Sequence, residues 1–148
     1  MESFDEKLID NYSSIDSNSL GGRIRRIKQN YQSDCLNKYV ESIATDKRKK
    51  VMNFITDYLD VMGQMGRIIK KNKRIVLTLG NRRVDNKMVP LSKVTQEYFE
   101  SIGFELEASI TRNIPIKRMP RRLSNVKDKS VESMSQEYVL ILRKIKEI

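Results

Sequence analysis

An α/β fold, a sheet with helices on both faces, is predicted by three features of the chain. A long helical periodicity runs from Asp46 to Ile69. A short apolar run follows, Arg74–Leu79, partly β-branched and closed by Gly80-Asn81, which is how a central strand buried on both faces reads. After one more helix, strand-like runs return at 104–110 and 138–142. Helix and strand alternating about a buried strand predict a sheet covered by helices. The last two strands have no clear crossover helix between them, so the C-terminal one is expected to pair antiparallel.

Residues 1–22 are rich in Ser, Asn and Asp and end in Gly21-Gly22, which predicts a flexible acidic lead-in with nothing to bury; residues 23–148 form the globular part. Ile24, Ile27 and Tyr31 have loose helical spacing. Leu36, Tyr39, Val40 and Ile43 have it clearly, with Ser33 or Asp34 as N-cap and an end near Ala44. Thr45 or Asp46 is placed to cap the long helix, in which Val51, Phe54, Ile55, Tyr58, Met62, Met65 and Ile69 recur at three- and four-residue steps. Gly63 and Gly66 interrupt it at about 1 kcal/mol each relative to alanine, so close packing on a neighbour or a break near Gly66 is expected. Ser92 is predicted to cap a helix carrying Val94, Thr95, Tyr98, Phe99 and Ile102, with Gly103 in the left-handed closing position. From 104 to 110 apolar and polar residues alternate, placing Phe104, Leu106, Ala108 and Ile110 on one face. Residues 111–132 hold Pro115, Pro120 and six bases before Asp128, and read as a long loop.

Composition removes several functions. With 148 residues the chain is one domain in size, and no apolar run approaches the roughly 18 residues of a membrane span. No secretory or transit signature opens it, so the cytoplasm is the expected compartment. There is no histidine and a single cysteine, Cys35, which excludes disulfides, Cys/His zinc sites and His-based acid-base catalysis. Cys35 reads as a small packed thiol. A net charge of +10 points to a polyanionic partner, nucleic acid above all, although Lys-rich composition alone also produces basic chains. The charge is uneven: residues 1–22 carry five acids and one lysine, whereas 67–87 carry eight bases and one acid.

Three pieces carry a resemblance: Gly80-Asn81-Arg82 with Val84 and Val89-Pro90-Leu91, then Arg112-Asn113-Ile114-Pro115-Ile116-Lys117-Arg118-Met119-Pro120, then Met134-Ser135-Gln136-Glu137-Tyr138-Val139-Leu140-Ile141. In this order and spacing the chain, over about residues 20–144, resembles the C-terminal region of prokaryotic S-adenosylmethionine-dependent DNA methyltransferases that modify an exocyclic base amine, the cytosine-N4 type of modification methylase. The resemblance implies a partial Rossmann-like methyltransferase sheet, with Arg74–Leu79 interior and 138–142 antiparallel. It also implies DNA as substrate and S-adenosylmethionine as cofactor of the complete enzyme. Such enzymes cradle the donor on a Gly-rich turn after their first strand and hold the flipped base in a Ser/Asp/Asn-Pro-Pro-aromatic loop. Neither is found here: Gly21-Gly22 follows no predicted strand, and the three prolines are never adjacent. The chain is therefore expected to bind no cofactor and methylate nothing alone, and to be one subunit of a split enzyme that works with a partner chain carrying the N-terminal half, a truncated gene product, or a fragment of a longer one.

Lys117, Arg118, Arg121 and Arg122, clustered about Met119-Pro120, are the predicted phosphate contacts, since paired bases on a proline-stiffened loop can clamp a backbone; a merely solvated loop is the competing use. Arg82 and Arg83 add charge at the end of the predicted strand. Asn81 lies where open α/β sheets place ligand contacts, and is equally an ordinary turn residue. Arg112 is expected to pair with a carboxylate such as Glu137. A non-enzymatic nucleic-acid-binding module using the same bases is the alternative to the methyltransferase reading.

Overall fold

The computed structural model describes residues 18–20, 22, 33–114, 122–126, 129–132 and 136–147, with 122–132 as backbone only. In chain order its elements are helices α1 (Asp34–Ser42) and α2 (Thr45–Ile68), strands β1 (Arg74–Leu79), β2 (Arg83–Val84) and β3 (Lys87–Met88), helix α3 (Leu91–Ser101), and strands β4 (Phe104–Asn113), β5 (Arg122–Val126), β6 (Lys129–Glu132) and β7 (Gln136–Lys144). Among the described residues the architecture is mixed α/β, with helices α1 to α3 and a small three-stranded antiparallel sheet. No helix among the described residues is long and apolar enough to cross a membrane.

The sheet has the order β1-β7-β4, with β7 antiparallel to both neighbours. Strands β1 and β4 therefore run in the same direction and are joined through α3, while β7 is inserted between them. The antiparallel pairing expected for the last two strands is present. The predicted burial of β1 on both faces is not. Ile75, Leu77 and Leu79 are buried and alternate with exposed Arg74, Val76 and Thr78, and β1 is an outer strand of the described sheet. The cause is one-sided packing. All described helices share a single core with Ile75, Leu77, Leu79, Leu140 and Leu142, so the helices cover one face and not two. On the other face Val76 remains 60% exposed.

Strand β4 also departs from the simple alternation read in it. The register shifts between Leu106 and Ala108, a β-bulge that inverts every later side chain. Phe104 and Leu106 face the helices, opposite Lys144 and Leu142, whereas Ala108 and Ile110 lie opposite Ile141 and Val139 on the open face, where Ile110 is 50% exposed. The predicted loop over 111–132 is shorter than expected, because β4 continues to Asn113 and β5 pairs with β6 as a hairpin.

Helix starts followed local chemistry in one case of three. The Ser33 hydroxyl accepts the Leu36 N–H at 3.0 Å and opens α1 as predicted. At α2 the N-cap is Ala44, which has no side-chain oxygen, and the Asp85 carboxylate accepts its N–H at 2.9 Å instead. At α3 the N-cap is Pro90, not Ser92; the Ser92 N–H points to the Asn81 carboxamide oxygen at 3.4 Å. Helix α2 runs unbroken through both glycines. A Cβ on Gly63 would stand 2.6 Å from the Tyr98 hydroxyl, so the missing side chain makes room for that hydroxyl of α3. Gly103 closes α3 at φ 100°, the left-handed position its sequence context predicts. Phe99, fully buried on α3, meets Phe104 edge-on at 5.0 Å and ties helix to sheet.

One charged side chain among the described residues lies within this core. Lys144, the last residue of β7 and 1% exposed, donates from Nζ to the carbonyls of Gly66 at 3.0 Å and Ile69 at 2.7 Å, at the C-terminus of α2. These are carbonyls that a helix end leaves without partners, at its negative pole. Lys144→Met keeps the stem but orphans both carbonyls, and is expected to cost about 2–4 kcal/mol in denaturant unfolding. A loss below half a unit would put the ammonium in water. Ile55→Ala, at a position 1% exposed, is expected to cost about 2–5 kcal/mol, and half-buried Phe54→Ala clearly less, in the same assay.

Candidate nucleic-acid interface

The carboxyl end of β1 leads through Gly80-Asn81 into the β2–β3 hairpin. Its two-residue turn places Asp85 and Asn86 at φ 53° and 57°, the left-handed pair that matches strand twist in a tight hairpin. The Val89 N–H returns to the Arg82 carbonyl at 2.7 Å and closes the excursion. Three contacts then fasten the hairpin to the α1–α2 junction. Asp85 takes the Ala44 N–H, the Lys87 ammonium donates to the Ser42 carbonyl, and the Tyr39 hydroxyl reaches the carbonyls of Val84 and Lys87, each at 3.4 Å.

Between this hairpin and the N-terminal turns of α2 lies a cleft of about 400 Å³. One wall is a single stripe of α2: Lys47, Lys50, Val51 and Phe54, spaced so that all four share a helix face. The other wall is Arg82, Arg83, Val84 and Asp85, with Val89 below and Leu20 at the margin. The floor is apolar and the rim cationic, four bases standing against Asp46 and Asp85. Asp85 is already engaged, with Oδ2 on the Ala44 N–H and Oδ1 3.5 Å from the Lys47 ammonium. Lys50, Arg82 and Arg83 have no carboxylate partner among the described residues. Phe54 stacks on Tyr58 at 5.9 Å and 22° while its own ring lines the cleft. A cationic rim over an apolar, partly aromatic floor can hold an anion joined to a flat apolar group.

Of the residues singled out in the sequence, Arg82 and Arg83 stand in this cleft. Asn81 is bound within the fold, its carboxamide reaching both the Ser92 N–H and the Met88 sulfur at 3.4 Å. Lys117, Arg118 and Arg121 lie outside the described residues, and of Arg122 only its backbone place in β5 is described. Arg112 pairs with Glu137 across β4 and β7, the structural use expected of it. The Cys35 thiol, half-buried on α1, is pushed up by burial and by Glu97, which favours the unreactive thiol form. No group of acidic or sulfur side chains among the described residues could hold a metal. Lys47 and Lys50 are not singled out by the sequence reading, and Phe54 only as an apolar residue of the long helix; the signal that joins the three is their common spacing on one helix face. No family model matches the chain, and no curated protein or solved structure matches it.

The Asp85 carboxyl is held below its ordinary value, chiefly by the bond from the Ala44 N–H and further by Lys47 and Lys87. The folded value being the lower one, the hairpin anchor is fully present above the ordinary carboxylate range and is lost as pH falls through the depressed value. In an NMR titration the Ala44 amide is expected to shift with a midpoint below the usual aspartate value, and Asp85→Asn to abolish that step. A midpoint at the ordinary value would mean the bond is not formed in solution.

Proposed function

We propose that the chain is the C-terminal part of an S-adenosylmethionine-dependent DNA methyltransferase of the exocyclic-amine class, with the donor and base pockets supplied by sequence outside these 148 residues. The observation that carries the reading is the sheet: two parallel strands joined by a helix, with the last strand antiparallel between them. The resemblance implies the same antiparallel role for 138–142. It also implies an interior place for Arg74–Leu79. Here the second edge of β1 takes no strand among the described residues, which leaves its backbone available to the rest of such a Rossmann-like sheet. The basic cleft stands at the carboxyl end of β1, where open α/β sheets gather ligands.

The described residues do not fit the donor. A sulfonium nucleotide is cradled by a glycine-rich turn from strand to helix, whereas the turn after β1 has one glycine, opens a hairpin, and has Asn81 committed to Ser92 and Met88. S-adenosylmethionine supplies an electrophilic methyl to the base amine when bound in the complete enzyme. This chain would contribute sheet, DNA-facing charge and alignment. The cleft itself favours a second reading, a nucleic-acid-binding module without chemistry.

Calorimetry and a methyl-transfer assay separate the two. The isolated chain is expected to give no S-adenosylmethionine isotherm. Joined with an N-terminal half that carries a Gly-rich turn and a Pro-Pro-aromatic loop, the natural candidate being one encoded immediately upstream, it is expected to transfer labelled methyl groups to DNA. Stoichiometric donor binding by the chain alone would show the donor site misjudged. Tight DNA binding with no transfer by the joined halves would favour the module.

A further inference from the structure

We propose that the cleft between α2 and the β2–β3 hairpin seats one nucleotide unit of a single DNA strand, its phosphate on Lys50, Arg82 and Arg83 and its base against Phe54. The proposal rests on the DNA-directed reading and deepens it: it names the strand form and the residues that hold it.

Charge is the first argument. Lys50, Arg82 and Arg83 are exposed, have no described carboxylate partner, and converge from two segments about 30 residues apart in sequence. A phosphate between them would gain charge-assisted hydrogen bonds from two guanidinium forks. Lys47 is held toward the same space by Asp85 at 3.5 Å, so the rim is ordered from both walls. The second argument is the floor. Phe54 lies one turn beyond Lys50 on the same face, is only half-buried, and is braced by the Tyr58 ring beneath it. Tyr58 is fixed in turn, its hydroxyl 2.7 Å from that of Thr95 in the core. Cations beside an aromatic platform are what single strands need, since every base offers a flat face once it is unpaired. A duplex buries those faces and presents phosphates alone. The third argument is size: about 400 Å³ falls in the range of sites that enclose small ligands, enough for a nucleotide and too confined for a double helix.

The test is fluorescence anisotropy on the full chain with a labelled single-stranded DNA, the duplex of the same sequence, the corresponding RNA, and thymidine monophosphate as competitor. The single strand is expected to bind more tightly than duplex or RNA, with thymidine monophosphate competing only weakly. The triple variant Lys50→Gln, Arg82→Gln, Arg83→Gln changes exposed positions only. It is expected to weaken single-strand binding at least tenfold at about 0.1 M salt and to flatten the log-log salt slope by about 2. Phe54→Ala is expected to lose on the order of tenfold for the single strand with the slope unchanged. Phe54→Leu, which fills the core, is expected to lose similarly if stacking matters, and circular dichroism reads folding in each variant.

Single-strand binding that survives the triple variant with unchanged affinity and slope overturns the cleft while leaving the DNA reading intact. Such a result transfers the role to Lys117, Arg118, Arg121 and Arg122, whose joint replacement by alanine would then remove binding. Equal affinity for duplex or RNA overturns the strand assignment, and competition by thymidine monophosphate at the affinity of the oligonucleotide turns the site into one for a free nucleotide. No binding to any DNA by the chain or by the joined halves overturns the DNA reading itself.

Discussion

The structure depends on what happens at Lys144. Through its backbone the residue ends the β7 ladder, donating its N–H to the Lys73 carbonyl at 2.9 Å and accepting the Asn72 N–H at 2.8 Å. Through its side chain it closes the end of α2 from within the core. One residue thus fixes a helix terminus, the turn that follows it and the first strand of the sheet. Desolvating an ammonium is expensive, and only a site that returns carbonyl dipoles in good geometry tolerates it. Two helix-terminal carbonyls do so here. Asn72, at φ 65°, makes the turn between α2 and β1 that brings those carbonyls to the lysine.

From that point the direction of α2 follows, and with it the cleft at the opposite end of the same helix. Gly63 leaves room for the Tyr98 hydroxyl of α3, and the Tyr58 hydroxyl meets Thr95, whose own hydroxyl donates to the Leu91 carbonyl at 2.6 Å. Helices α2 and α3 are therefore registered by one steric and one polar contact inside an apolar core. The open face of the sheet is governed differently. Its apolar centre, Val76, Val139 and Ile141, is bordered by Arg74 with Glu107 and by Arg143 with Glu105 and Glu107. Exposed pairs of this kind add little stability. Arg74 and Arg143 stand opposite each other on β1 and β7, and the two glutamates of β4 offset that like-charge pair.

Much of this was readable in the residues. The three helices, the three main strands, the Ser33 cap and the Gly103 closure all rest on local patterns of one or two turns, and the Arg112–Glu137 pair, 25 residues apart, was legible from the place of Arg112 at a strand end. What escaped depends on distant partners. Asp85 caps a helix 41 residues earlier, and no window around Ala44 contains it. The bulge after Leu106 inverts a strand whose alternation looks regular, because the extra residue, Glu107, is polar like its neighbours in the pattern and is recruited by Arg74. The Arg74–Leu79 run is apolar enough for two buried faces, yet the described helices lie on one side only. The Asp85-Asn86 turn had a local signal, two residue types that tolerate left-handed geometry, but the strands it joins are two residues each and show no periodicity.

The basic cleft illustrates why charge counted along the chain differs from charge in space. The block of bases from 67 to 87 looks continuous in the sequence, but the fold disperses it: Arg74 is spent on Glu107 at the sheet, Lys87 on the Ser42 carbonyl, and only Arg82 and Arg83 reach the cleft. Their companions, Lys47 and Lys50, come from the N-terminal turns of α2, outside that block. What assembles the four is the hairpin, held by Asp85, the only acid in that block, together with Lys87 and Tyr39. Composition bias scatters lysine and arginine over a surface without regard to what lies between them. It does not account for cations converging from two segments over an aromatic floor, with a carboxylate occupied in fastening the wall that carries them. The same acid that lowers the formal charge of the site is thus among the residues that make the site positive in space, by helping to fix where the arginines stand.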